Sequence, residues 1–411
     1  MNKFLKEFKD RGFFYQCTNE NELSNILDKK KIKAYIGFDC TAESLHVGSL
    51  LQIMCLRLLQ HHGHQPIVLL GGGTTRIGDP SGKDKTRQIL SEKEIEKNSK
   101  NIEKILKKFL ISNDKKTKPI FVNNYKWLKN LNYISFLRNI GKHFTINKML
   151  TFDSVKKRLE REQSLSYMEF NYMILQAYDF FQLYKNYKCI LQIGGSDQWG
   201  NIVNGTDLIR RLLQKEAFGL TSPLITLSSG SKMGKTEQGA IWLNEDELSP
   251  YDYWQFWRNT DDRDVKRFFK FFTEIVPKEV EEIFKKEKNI NNLKIMLANE
   301  ATKILHGEDA SKKAEKTAKD TFDEGGIGSD LPEIKIDSNV IKKGVSILDF
   351  IANNKILNSK SEARRAIANR GLKIDGVIID DEKKILKLKD FKKNIFKLSY
   401  GKKKHYLVKI I

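Results

Sequence analysis

Three groups of residues combine side-chain types and spacings that could do chemistry. The first runs from Phe38 to Ser49 (FDCTAESLHVGS), between a strand-like run and an apolar helical one. A helix N-terminus offers unpaired N–H groups and the positive end of a dipole, a ready place for phosphate. There Thr41, His46 and Ser49 supply donors, and Gly48 lets a flat ligand approach the backbone. Alone, an HxG tripeptide fits an ordinary capped helix just as well. The second group, Ser229 to Thr236 (SGSKMGKT), sets Lys232 and Lys235 around Met233 and Gly234, a flexible loop able to wrap a polyphosphate. It is not a Walker loop, and Gly78 to Lys83 (GDPSGK) is too short to be one. By itself the lysine loop reads equally as a solvated turn. The third group is helical. Phe170, Met173, Ile174, Ala177, Phe180, Phe181 and Tyr184 form a core-facing stripe, and Tyr172, Gln176 and Asp179 form a second one at i, i+4 and i+7. A phenol, an amide and a carboxylate in line suit a cleft that reads a small polar ligand, and a wet outer face is the alternative.

The elements around these groups are those of a nucleotide-binding fold. Lys33–Phe38, Gln65–Leu70, Lys118–Val122, Cys189–Ile193 and Leu224–Leu227 read as strands. His46–His62, Glu92–Phe109 and a segment opening at Ser196 read as helices between them. Strands separated by helices predict an α/β, doubly wound, Rossmann-like parallel sheet, with ligands at the carboxyl ends of its strands. From about Pro250 to Ala318 the pattern is helical, and Asp323–Pro332 (DEGGIGSDLP) reads as a linker. The expected division is a catalytic domain over 1–225, a loop and helical domain over 226–320, a linker over 321–344 and a small α+β domain over 345–411.

Composition narrows the classes further. Of 411 residues, 40% are hydrophobic and 30% charged, as in a soluble globular protein. No apolar run is long enough to span a membrane, and the charged N-terminus lacks the apolar core of a secretory signal. The four cysteines show no paired spacing, which points to a reducing compartment, the cytoplasm, and away from a metal site. The net charge of +21 is concentrated: residues 341–411 hold 19 Lys and Arg against 7 Asp and Glu. Such a block suits a polyanion, or is the solubilising habit of a Lys-rich proteome. Pattern favours the polyanion. Ser359 with Glu362 predicts a capped helix over Ala363–Arg370, Gly371 a left-handed cap, and Asp375-Gly376 a hairpin turn. Lys360, Arg364, Arg365, Arg370 and Lys373 would then be exposed on a compact cationic module.

Taken together, the groups resemble a class I aminoacyl-tRNA synthetase, whose signatures usually written HIGH and KMSKS occur in this order. Here they are His46-Val47-Gly48-Ser49 and Lys232-Met233-Gly234-Lys235-Thr236. Tyr35–Asp39 (YIGFD), Gly78–Lys83, Tyr172–Asp179 (YMILQAYD), Gln192–Asn201 (QIGGSDQWGN) and Asn259–Val265 (NTDDRDV) are similar to the bacterial tyrosyl-tRNA synthetase family. The tail looks like an alpha-L RNA-binding motif. Two departures stand out: Ser49 replaces the second signature His, and Cys40 stands where the family often has Pro.

The resemblance implies tyrosine–tRNA ligation. Tyrosine attacks the α-phosphorus of ATP, pyrophosphate leaves, and the tyrosyl group passes to the 3′ end of tRNA(Tyr). By resemblance, Thr41, His46, Gly48, Ser49, Lys232, Lys235 and Thr236 would serve catalysis. Tyr35 and Asp179 would bind the substrate phenol, and Asp79, Tyr172 and Gln176 its ammonium, with Gln192 and Gln198 nearby. Gly37, Asp39, His46, Gly48, Gly195, Asp197, Lys232, Met233 and Lys235 would form the ATP site, with Asp197 holding the ribose and Gly37, Gly48 and Gly195 leaving room for adenosine. ATP would enter as substrate with Mg²⁺, with no tightly bound cofactor and no protein metal site. Lys360, Arg364, Arg365, Arg370 and Lys373 would meet the tRNA, and the protein would be a homodimer. Two other readings compete with it: a tryptophanyl enzyme, and a non-catalytic RNA-binding protein that uses the basic tail on a synthetase-like scaffold.

Overall fold

Six strands build the central sheet. Its strands are β1 (Gln16–Cys17), β2 (Lys33–Asp39), β3 (Gln65–Gly71), β4 (Ile120–Asn123), β5 (Cys189–Gly195) and β6 (Phe218–Ser222), in the spatial order β1-β6-β5-β2-β3-β4. All pair in parallel except the edge strand β1, antiparallel to β6. The chain winds from β2 one way to β4 and the other way through β5 to β6. The strand order therefore switches between β2 and β5, where such sheets open a crevice. This computed structural model describes residues 2–81, 90–230, 233–236, 239–322, 331–392, 394–401 and 404–411.

Helices cover both faces, and local chemistry sets their ends. Ser91 and Glu94 close a reciprocal capping box on Glu92–Phe109, as Ser166 and Glu169 do on Tyr167–Tyr187. Lys188 ends the latter in the left-handed region at φ 57°. Phe180 and Leu183 of that helix pack with Tyr35, Ile67, Leu69 and Val122 of the sheet. Each such side chain contributes on the order of 2 kcal/mol by leaving water. On another part of the helix, Met173, Ile174 and Ala177 pack with Ile140, Met149, Val155 and Leu208.

By its internal contacts the chain divides into two units, Met1–Leu248 with Asn259–Leu305, and Ser249–Arg258 with His306–Ile411. The first holds the sheet, a short hairpin of β7 (Lys235–Thr236) and β8 (Gly239–Ala240), and the helices Asp262–Phe272 and Pro277–Lys286. In the second unit, helix Pro250–Arg258 packs on Glu308–Phe322. Its strands are β9 (Glu333–Ile336), β10 (Val345–Ser346), β11 (Leu372–Ile374), β12 (Val377–Ile378), β13 (Ile385–Leu386), β14 (Ile395–Tyr400) and β15 (Lys404–Ile410). Five of them form one sheet in the order β12-β11-β14-β15-β9, and β10 pairs with β13. Phe350, Ile351, Ile367, Phe396 and Val408 sit at its core.

Several boundaries differ from expectation. The helix expected over 46–62 begins at Leu50, because Val47–Ser49 tighten into a 3-10 turn. Leu224–Leu227 carries no named strand; the strand lies at Phe218–Ser222, all of it buried. Glu333–Ile336, expected within the linker, pairs with β15, so the small domain's sheet recruits chain from before residue 345. Residues 323–330 of that linker lie outside the described residues. Arg370, not Gly371, adopts the left-handed conformation at φ 54°, while Asp375 and Gly376 make the expected turn at φ 47° and 84°. Ser359 caps its helix by accepting from Glu362 N–H, but the Glu362 carboxylate turns to Asn358 N–H instead of closing the box.

Candidate active site

The carboxyl ends of β2 and β5 open into a cavity of about 380 Å³. Its lining includes Tyr35, Gly37, Asp39, Thr41, His46, Gly48 and Ser49 from the first signature region. Asp79, Tyr172, Gln176, Asp179, Gln192, Gly195, Asp197 and Gln198 also line it. Every side chain expected to read tyrosine is therefore in one place, although the residues are far apart in the chain.

At the inner end the chemistry is buried. Asp179 is 1% exposed, and its two oxygens accept from Asn124 Nδ2 at 2.9 Å and Trp127 Nε1 at 2.7 Å. Burial pushes its acid up to about 7 despite those donors, with Asp39 a lesser contribution. The Tyr35 hydroxyl, also buried, meets no hydrogen-bond partner among the described residues, and neither does the Gln192 amide oxygen. Burial, then the charge of Asp179, holds the Tyr35 phenol well above its usual range. Buried polar atoms are nearly always paired, so two unmet ones lining a cavity mark where a ligand supplies the missing partners.

Further out, the polar groups are already knitted together. The Tyr172 hydroxyl donates to Asp39 Oδ2 at 2.9 Å, and Thr74 Oγ1 donates to Asp39 Oδ1 at 2.8 Å. Gln198 Nε2 donates to Asp79 Oδ2 at 2.8 Å, and Asn201 Nδ2 donates to both Gln176 Oε1 and Gln198 Oε1. Asn124, Trp127, Thr74 and Asn201 were not singled out from sequence. Asn124 follows β4 directly, and a polar residue at the carboxyl end of a buried parallel strand is the signal that points to it.

The first signature is built around its own imidazole. His46 Nδ1 accepts from Gly48 N–H at 3.0 Å, which leaves Nε2 as the protonated nitrogen of the neutral ring. A Cβ on Gly48 would meet the His46 ring at 2.6 Å and the Met233 carbonyl oxygen at 2.8 Å. A Cβ on Gly195 would meet Asp197 Oδ1 at 2.6 Å. Protein packing thus requires glycine at 48, where the sequence suggested room for adenosine, whereas at 195 only the end of the Asp197 side chain would have to move. Of these three glycines, Gly37 alone opens onto space, with nothing within 4 Å. Ser49 lines the cavity and makes no capping bond to its own helix. Cys40 is fully buried, and its N–H donates to Thr75 Oγ1 at 2.7 Å.

The segment that follows the lysine signature pairs with the first signature by backbone. Val47 N–H donates to Ile241 C=O and Leu243 N–H to Leu45 C=O, both at 2.9 Å. A Cβ on Gly234 would lie 2.6 Å from His46 Nδ1, and its φ of 102° also calls for glycine. Met233 is buried. Lys235 and Thr236 form β7, and Lys232 lies outside the described residues.

In the second unit, Lys360, Arg364, Arg365 and Arg370 are exposed and Lys373 is half-buried. Lys360 pairs with Asp349, and Arg364 lies 3.8 Å from Glu382. Arg365 lines a separate hollow with Asn369 and Tyr400.

Comparison with known proteins agrees with this architecture. Residues 27–323 match the family of class I tRNA synthetases (W and Y), and residues 324–408 match the tyrosine–tRNA ligase SYY-like C-terminal domain. The chain is 69% identical to the tyrosine–tRNA ligase of Pelagibacter ubique, each covered in full. It is 52% identical to that of Rickettsia massiliae, over 99% of this chain and 100% of the relative. The C-terminally truncated mitochondrial tyrosyl-tRNA synthetase of Aspergillus nidulans superposes with a TM-score of 0.70 at 29% identity, covering 78% of this chain and 94% of the other.

Proposed function

The chain belongs to the tyrosine–tRNA ligases of class I, and from that premise we infer how its cavity divides the work. The protein activates tyrosine with ATP and transfers it to tRNA. In our reading the substrate phenol enters between Tyr35 and Asp179, and its ammonium meets the Asp79, Tyr172, Gln176, Gln192 and Gln198 group. The nucleotide lies outward, over Gly37 and Asp39 and beside Gly195 and Asp197, with its phosphates toward Thr41, His46, Ser49 and the lysine signature. The observation that carries this is the unmet Tyr35 hydroxyl beside an Asp179 whose carboxylate is already held by two donors.

Activation needs no protein nucleophile. The substrate carboxylate oxygen bonds to the α-phosphorus, the bond to the pyrophosphate oxygen breaks, and negative charge gathers on the leaving group. The residues contribute position and charge stabilisation. His46 Nε2–H is the fixed donor, and Lys232 and Lys235 are the cations. The described residues group no three His, Cys, Asp or Glu side chains fit to hold a metal. We propose that magnesium enters with the nucleotide. Tyrosine-dependent ATP–pyrophosphate exchange tests the whole reading. Label should return to ATP when tyrosine is present, and its absence would refute the assignment.

The tail is the proposed tRNA contact, through Lys360, Arg364, Arg365, Arg370 and Lys373. No described helix is long and apolar enough to cross a membrane. We propose a cytoplasmic location from the spacing of the four cysteines, which suits a reducing compartment. We assign the homodimer contact to the first unit's exposed apolar face, where Tyr133, Leu137, Tyr167 and Met168 line one groove and Ile134, beside Tyr133 in the chain, is 70% exposed. An exposed apolar patch of this kind marks an interface, and a two-fold contact would bury it against itself.

A further inference from the structure

The Asn259–Val265 motif has no place in the cavity, yet one of its acids is among the most buried in the chain. Asp264, in the first turn of helix Asp262–Phe272, is 1% exposed. Its Oδ2 accepts from Ser228 N–H at 2.9 Å and its Oδ1 from Ser228 Oγ at 2.7 Å. Arg267, one turn on, donates from the same nitrogen to Asp264 Oδ1 at 2.6 Å and to the Thr226 carbonyl at 2.5 Å. One carboxylate and one guanidinium thus grip backbone groups of Thr226 and Ser228. Those residues lead directly into the lysine signature.

The other side of the signature is fixed as well. Ile241 and Leu243 are laddered to Val47 and Leu45, and Ile241 N–H reaches back to the Gly234 carbonyl at 3.2 Å. Met233 N–H returns to the Ile225 carbonyl at 3.4 Å, beside the gripped pair. The described Met233–Gly234 backbone is therefore tied on both sides, to the Ile225–Ser228 segment that the buried acid grips and to Ile241, which pairs with the first signature.

We propose that Asp264, steadied by Arg267, is a positioning residue for tyrosine activation: it sets where the lysine signature stands against His46 and the leaving pyrophosphate. A solvated Ser228 would gain little from a buried carboxylate whose desolvation is costly. The anchor is explained if the backbone it holds must be accurate, because small displacements of charged groups around a reacting phosphate are expensive in rate. The inference rests on the lysine signature serving ATP, as proposed above.

The test uses full-length protein in tyrosine-dependent ATP–pyrophosphate exchange, comparing wild type with Asp264→Asn and Ser228→Ala. Asp264→Asn should lower kcat by on the order of tenfold or more with the KM for tyrosine unchanged, since other elements build the tyrosine end. Ser228→Ala removes one hydrogen bond at an exposed position and should lower kcat about threefold. Trypsin should cut Asp264→Asn after Lys232 or Lys235 sooner than wild type, at an unaltered Tm. Unchanged kcat in an active Ser228→Ala and Asp264→Asn pair overturns the anchor alone. So does a parallel loss of kcat, tyrosine affinity and Tm, which marks a merely structural acid. If Asp264→Asn fails to fold, Ser228→Ala still decides. A wild type without exchange instead removes the parent reading, and the anchor with it.

Discussion

At the scale of single residues, Asp179 is where selectivity should concentrate. A site that pairs a hydroxyl leaves its own polar groups dry when the hydroxyl is missing, so the deoxy analogue is rejected. Asp179→Ala should erode the preference for tyrosine over phenylalanine in kcat/KM more than it lowers the rate with phenylalanine. Equal losses with both would make the residue structural. Its acidity adds a pH signature. Burial raises the folded-state acid to about 7, so between the unfolded value near 3.8 and that pH the native state holds the extra proton. Stability of the ligand-free protein should therefore fall as pH rises across this window, and Asp179→Asn should flatten that slope in thermal melts. Tyrosine affinity should rise over the same window, as the carboxylate forms to accept the phenol. The Tyr172, Gln176 and Asp179 stripe was legible because helical spacing is local. Asn124 and Trp127 were not, since their contact with Asp179 spans 55 and 52 residues and no periodicity reports it.

At the scale of elements, the two signatures form one backbone assembly. Gly48→Ala would drive a methyl into the His46 ring and the Met233 carbonyl. Activation should slow by on the order of 100-fold while tyrosine binding, measured by fluorescence titration, stays close to wild type. Sequence alone gave Gly48 a ligand-facing role because tertiary neighbours carry no local mark. Helix Glu92–Phe109 has the bounds its apolar period places, whereas the helix read over Ala363–Arg370 runs Lys360–Ala368 and its expected capping box is only half formed. β6 was read too late because FGLTS lacks a strongly apolar run, whereas LITL has one; burial at the sheet overrode local propensity.

At the scale of the whole molecule, the chemistry and the basic tail are separable in the fold. A protein ending at residue 322 retains every element of the cavity, and should keep pyrophosphate exchange while losing most tRNA charging at physiological salt. Intact charging by that truncation would remove the tail from tRNA recognition. The apolar face makes a different demand: Ile134→Asp should shift the protein to monomer in sedimentation velocity, with its melting temperature little altered. The alternation of strands and helices made the parallel sheet legible from the start. The extent of the small domain was not, because β9, directly after a glycine-rich segment, joins β15 from about 70 residues away in the chain, a long-range pairing that no local pattern marks. The bond from Cys40 to Thr75 carries an evolutionary corollary. Proline at position 40 would take away the only backbone donor that residue has, so the two positions are epistatic, and descendants exchanging one should be found to have exchanged the other.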